Sequence, residues 1–179
     1  GIVVGADGNV WIGGYGGGDS HVLVFTRDGQ FVREIGLPGE PIDSLSTESF
    51  GRVAEIAIDR STNEAYFADG YGNKRVAVVD VASGAFKRFW GAYGNEPIDE
   101  RVVYDPAAPL PQQLVGPVHC AEPSNDGLIY DCDRGADRIL VFRPDGSFVK
   151  EGHVAPLTQA GTTLDISFSH DENQDFIYV

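Results

Sequence analysis

The chain has no methionine, two cysteines, four histidines and only 13 lysines and arginines against 27 acidic residues. Without methionine even at position 1, it is expected to be a mature form or a fragment. Two thiols alone do not make a zinc site. The shortage of bases leaves a net charge of −14, and Arg27, Lys74, Arg88 and Arg138 do not cluster. Nucleic acid and anionic membrane surfaces are thereby excluded as partners, because a chain this acidic repels them. No apolar run approaches the ~18 residues that span a bilayer, so no membrane insertion is expected. The opening Gly1-Ile2-Val3-Val4-Gly5 lacks a basic region and a cleavage site, so the given chain carries no targeting signal.

What is present points to a folded all-β protein. Apolar residues make up 42% of the 179, which excludes a disordered acidic tail, while 23 glycines and 10 prolines spread along the chain oppose long helices. The length suits one domain.

The chain repeats. In the first unit, roughly residues 1–36, two short apolar runs flank Asp7-Gly8, and His21-Val22-Leu23-Val24-Phe25 turns at Asp28-Gly29 into Phe31-Val32-Arg33-Glu34-Ile35-Gly36. The pattern returns over 51–91 and 117–152, turning at Gly84 and Gly146, and half of it returns over 162–179. Asp-Gly between β-rich runs is a hairpin signal, since the turn needs φ > 0. Four short antiparallel strands per repeat make a propeller blade, with a sandwich as the rival. About three and a half blades would leave unpaired edges. The chain is thus expected to be part of a larger ring, completed by remaining blades of the same propeller or by another chain.

Val24-Phe25-Thr26-Arg27-Asp28-Gly29-Gln30-Phe31-Val32-Arg33-Glu34-Ile35-Gly36 and Arg138-Ile139-Leu140-Val141-Phe142-Arg143-Pro144-Asp145-Gly146-Ser147-Phe148-Val149 resemble NHL repeats. That resemblance implies an NHL-type β-propeller, whose members include enzymes and binding platforms alike. A narrower resemblance is to the peptidyl-α-hydroxyglycine α-amidating lyases, six-bladed propellers with zinc held by channel histidines. Asp69-Gly70-Tyr71-Gly72-Asn73-Lys74-Arg75 is similar to the segment carrying the family's catalytic tyrosine. Pro117-Val118-His119 with Asp133-Arg134 resembles the blade that supplies a zinc histidine and an active-site arginine, with Val118 inserted where the family has Pro-His. The resemblance implies Tyr71 as base, Arg134 as a clamp for an anionic group, His119 as a zinc ligand, and cleavage of a hydroxyglycine-extended peptide into its amide and glyoxylate.

Propeller geometry brings these three residues to one mouth independently of the family, because strand one begins where strand two ends. Taken one by one they have plainer readings. His119 would be a strand-end histidine bonded to a carbonyl, Tyr71 a loop aromatic, and Arg134 a partner of Asp131 or Asp137.

Other features carry less. Gly13-Gly14-Tyr15-Gly16-Gly17-Gly18 leads into a strand rather than a helix, and so reads as a blade connection and not a phosphate cradle. Asp131, Asp133 and Asp137, or Asp171, Glu172 and Asp175, could hold structural calcium but lack a full loop spacing, and read as solvated acidic turns. His21, His153 and His170 read as surface residues.

Cys120 and Cys132 lie on the two strands of one hairpin. With Ser124 facing Leu128 they stand opposite each other, either as a cross-strand disulfide or as two reduced core thiols. A disulfide would imply a periplasmic or secreted setting. Two functional classes remain: a metal-dependent lyase, and a non-catalytic NHL propeller that binds a peptide, protein or small-molecule ligand.

Overall fold

A computed structural model describes residues 1–157 and 161–179. Apart from two short 3-10 turns, the regular structure is all strand. Blade 1 comprises β1 (Ile2–Val4), β2 (Val10–Gly13), β3 (His21–Phe25) and β4 (Phe31–Gly36). Blade 2 comprises β5 (Glu55–Asp59), β6 (Glu64–Asp69), β7 (Arg75–Asp80) and β8 (Phe86–Trp90). Blade 3 comprises β9 (Val118–Pro123), β10 (Ile129–Asp133), β11 (Arg138–Phe142) and β12 (Phe148–His153). Each is an antiparallel meander, and β13 (Ser167–Phe168) with β14 (Ile177–Tyr178) forms a further hairpin. A register shift recurs at the same place in each blade, at Val24/Phe25, Val78/Val79 and Val141/Phe142. The turn glycines Gly29, Gly84 and Gly146 that follow all have positive φ.

Blades pack face to face. Trp11, Val22 and Val24 meet Phe67, Ala77 and Val79 between blades 1 and 2, whereas Tyr66, Val76 and Val78 meet Leu140 and Phe142 between blades 2 and 3. Strands covered on both faces have no solvent-facing alternation, and β6 and β11 are buried throughout. Of the apolar positions read from the repeats, Ile56, Phe67, Val76, Val78, Leu140 and Phe142 are buried, and Ile58 is partly so. Consecutive blades touch through their first strands, β1 on β5 and β5 on β9, as in a radial arrangement.

One polar device recurs inside this apolar frame. Asp69, ending β6, accepts from Arg75 Nε at 2.8 Å, Asn73 Nδ2 at 2.8 Å and the Gly51 amide at 2.6 Å. Arg75, opening β7, donates onward to the carbonyls of Ser44, Ser46 and Ser49. Blade 3 repeats it. Asp133 accepts from Arg138 Nε at 2.9 Å and the Gly116 amide at 2.8 Å, while Arg138 donates to Pro111 O, Gln113 O and Tyr93 Oη. The long loops 37–53 and 95–117 are thus each tied to the blade that follows.

This corrects the reading of Asp131, Asp133 and Asp137 as solvated turns, because all three are buried. Asp133 is held by the arginine five residues on. Asp131 has no hydrogen-bond partner on either oxygen, and burial together with the nearby Asp133 carboxylate holds it well above the usual carboxylate range.

Removing one partner from a buried, fully bonded ion pair leaves the other charge stranded, at a cost of about 3–5 kcal/mol. Arg75→Met is therefore expected to lower the unfolding free energy by about that amount in urea denaturation. Arg143→Met, at an exposed position, is expected to stay within about 0.5 kcal/mol of the parent.

Candidate functional site

The site lies where β6 ends and β9 begins. Gly70 follows β6 and packs directly on the Val118 backbone, where any Cβ would collide with it. That contact lets the Tyr71 loop of blade 2 reach the first strand of blade 3. The Gly72 amide donates to Gly51 O at 2.6 Å, so the loop also rests on the segment tied down by Asp69.

Tyr71 Oη and His119 Nε2 stand 2.8 Å apart in a hydrogen bond, with the rings edge to face at 5.4 Å. Tyr15 from the glycine-rich connection of blade 1 lies edge to face with Tyr71 at 4.5 Å and is 65% exposed. The Asp19 carboxylate takes the Gly16 amide and holds that connection in place. Three consecutive blades therefore contribute Tyr15, Tyr71 and His119 to one cluster.

His119 owes its position to a bulge. Pairing is regular from Pro123 to Ala121, shifts between Asp131 and Asp133, and resumes at Val118 opposite Asp133. The strand thus carries one residue more than its partner. At the same bulge Cys120 and Cys132 are joined in a disulfide with Cα atoms 4.9 Å apart. Ser124 faces Leu128 through a 2.9 Å backbone hydrogen bond.

Arg134 follows β10, and its amide donates to Pro117 O at 3.2 Å, two residues before His119. The backbone is on the same rim, but among the described residues no hydrogen bond, ion pair or ring contact joins the Arg134 side chain to Tyr71 or His119. Nor does Arg134 pair with Asp131 or Asp137; Arg138 takes the ion-pair role in this blade, with Asp133. His153 and His170 are exposed, whereas His21 is partly covered and keeps Nδ1 buried without a partner.

Deeper along the first strands, Glu55 Oε2 accepts the Ala121 amide at 2.9 Å across the gap between blades 2 and 3. Burial, and next the adjacent Glu122 carboxyl, push Glu55 up to about 9. Glu122 is also raised, by burial first. Two carboxyls so placed each disfavour the other's ionisation. Among the described residues, no group of three or more His, Cys, Asp and Glu side chains could hold a metal ion.

No family model matches the chain, and no curated protein matches it in sequence. Solved structures do. A catalytically inactive variant of virginiamycin B lyase from Staphylococcus aureus, with quinupristin, is 16% identical with a TM-score of 0.58, over 90% of this chain and 42% of that one. The WD40 β-propeller domain of Doa1 is 11% identical with a TM-score of 0.57, over 93% and 42%. Saccharomyces cerevisiae Sqt1 is 9% identical with a TM-score of 0.63, over 95% and 38%.

The chain is part of a β-propeller.

It spans about two fifths of the length of these structures. At such identities the likeness carries the fold and leaves the chemistry to the site. Tyr15 was missed in the sequence because its partner lies on another blade, and the Glu55–Glu122 pair for the same reason.

A carboxyl raised in the folded state contributes stability that is fully present below its unfolded value of 4.5 and is lost as pH rises through about 9. Glu55→Gln keeps the acceptor for Ala121 without the charge. Urea denaturation over that range should show parent stability falling with pH and the variant curve flatter. Parallel curves would refute the raised Glu55 carboxyl.

Proposed function

We propose that the complete protein is a propeller lyase of NHL type, similar to the amidating lyases, with Tyr71 as its base and His119 hydrogen-bonded to it. The 2.8 Å hydrogen bond between Tyr71 Oη and His119 Nε2 carries this reading. It joins a phenol and an imidazole from adjacent blades at the mouth, where an acid–base pair has to reach substrate. In cleavage of a hydroxyglycine-extended peptide, the Tyr71 phenolate, stabilised by a hydrogen bond donated from His119 Nε2–H, takes the proton of the substrate hydroxyl. The oxygen's electrons form the glyoxylate carbonyl, the carbon–nitrogen bond breaks, and the departing amide nitrogen receives that proton from Tyr71. Arg134 would bind the substrate carboxylate.

His119 would also be one ligand of a channel zinc, the others coming from blades outside this chain, since the described residues do not compose a metal site alone. Bound zinc would polarise a substrate oxygen. The Cys120–Cys132 disulfide supports an extracytoplasmic location. The second reading, a non-catalytic propeller holding a small-molecule or peptide ligand, is favoured by a separate groove between blades 1 and 2.

The test uses the full-length protein with a hydroxyglycine-terminated peptide, alongside its zinc content. Tyr71→Phe and His119→Ala are each expected to lower kcat by about 100-fold or more, and Arg134→Met to raise KM. If the intact protein turns over nothing, or both variants match the parent, the lyase reading fails and the binding propeller replaces it.

A further inference from the structure

The outer strands of blades 1 and 2 carry arginines at equivalent positions, Arg33 opposite Val24 and Arg88 opposite Val78. Arg88 is fully engaged. Its two terminal nitrogens donate to the Glu64 carboxylate at 2.8 and 2.5 Å, and its Nε donates to Pro144 O of blade 3 at 2.6 Å. The guanidinium beside it holds the Glu64 carboxyl down at about 2.

Arg33 has no such carboxylate. Its terminal nitrogens donate to the Ala82 and Val81 carbonyls of blade 2, its guanidinium lies over the Trp11 ring at 5.2 Å, and its Nε is buried without a partner. The difference traces to one residue. Val10 pairs with Phe25 as Ala65 pairs with Val79, so Asn9 stands in blade 1 where Glu64 stands in blade 2. The Asn9 amide is itself bonded to Asp7 at 2.7 Å.

Arg33 lines a cavity of about 460 Å³ between the two blades, with Val32, Ile58 and Val81 as apolar wall and Arg60 exposed at the rim. That volume suits a small ligand. The carboxylates around it are occupied by their own turns: Asp7 by Asn9, Asp59 by Ser61 and Thr62, Asp80 by Ser83. What the groove lacks, by comparison with its neighbour, is an anion with two acceptor oxygens.

We propose that this groove binds a carboxylate borne on an apolar chain, its oxygens serving Arg33 and Arg60 as Glu64 serves Arg88. The turns that form it, 5–9 and 60–63, lie at the opposite ends of their strands from the Tyr71 loop, so the proposal does not depend on the lyase reading. The carboxylate could belong to a free aliphatic acid or to a peptide C-terminus.

Calorimetric titration of the full-length protein separates these. The probes are hexanoate and an acetylated tripeptide ending in leucine, with hexanol and the tripeptide amide as uncharged controls. At least one carboxylate probe is expected to bind tenfold or more tightly than its control, and the one that does identifies the source. Asn9→Glu would supply the missing carboxylate from within, and is expected to weaken that binding at least tenfold while leaving peptide turnover unchanged. Equal binding of probes and controls, no binding of either carboxylate, or unchanged affinity in Asn9→Glu would overturn the proposal.

Discussion

A buried carboxylate at the end of a blade's second strand, gripping a guanidinium at the start of its third, is the interaction on which the channel mouth depends. The apolar faces stack the blades, but they say nothing about the long loops between them. Those loops bury Phe50, Val53 and Leu114 but leave many carbonyls to satisfy. Arg75 and Arg138 satisfy them, and Asp69 and Asp133 keep each guanidinium in place while taking the loop amides Gly51 and Gly116. Such a pair adds little net stability against an apolar replacement of the same shape. Its effect is to fix one conformation: with Gly51 held, Gly72 has a carbonyl to bond, and Tyr71 is presented to His119. Blade 1 has Gly14 and His21 at the corresponding places, and among the described residues His21 Nε2 lies 3.8 Å from Glu34 Oε1. Its connection is held instead by Asp19, with Tyr15 laid on Tyr71.

Much of the fold was legible in the sequence because a repeat is its own alignment. The recurring turn glycines and the doubly apolar strands gave blades and buried faces without reference to any other protein. The mouth was legible in part. Tyr71 and His119 were placed together by strand topology, and the structure brings them into hydrogen-bond contact. Burial of the acidic residues was not legible: spacing alone cannot separate a solvated turn from Asp133, whose partner Arg138 looked like one of a few scattered bases. Arg33 was equally silent, since its unmatched Nε emerges only when blade 1 is laid on blade 2 residue by residue.

The same comparison separates two uses of charge in an acidic chain. At Asp69–Arg75 and Asp133–Arg138 the charges are closed on themselves and serve the loops. At Arg33, and in the protonated Glu55–Glu122 pair, closure is incomplete, and an incompletely satisfied group is where a ligand or a proton can enter. Repetition makes such departures visible, because neighbouring blades show how the same position is satisfied when nothing else has to bind there.

The most direct test of the anchoring role is amide hydrogen exchange, residue by residue, in the parent and in Asp133→Asn. Gly116 and Val115 are expected to exchange slowly in the parent, at rates comparable to core strand amides. In the variant, protection should be lost across 95–117 while Gly51 and β5–β7 remain protected. Fast exchange of Gly116 in the parent, or loss spread evenly over all blades in the variant, would contradict that role.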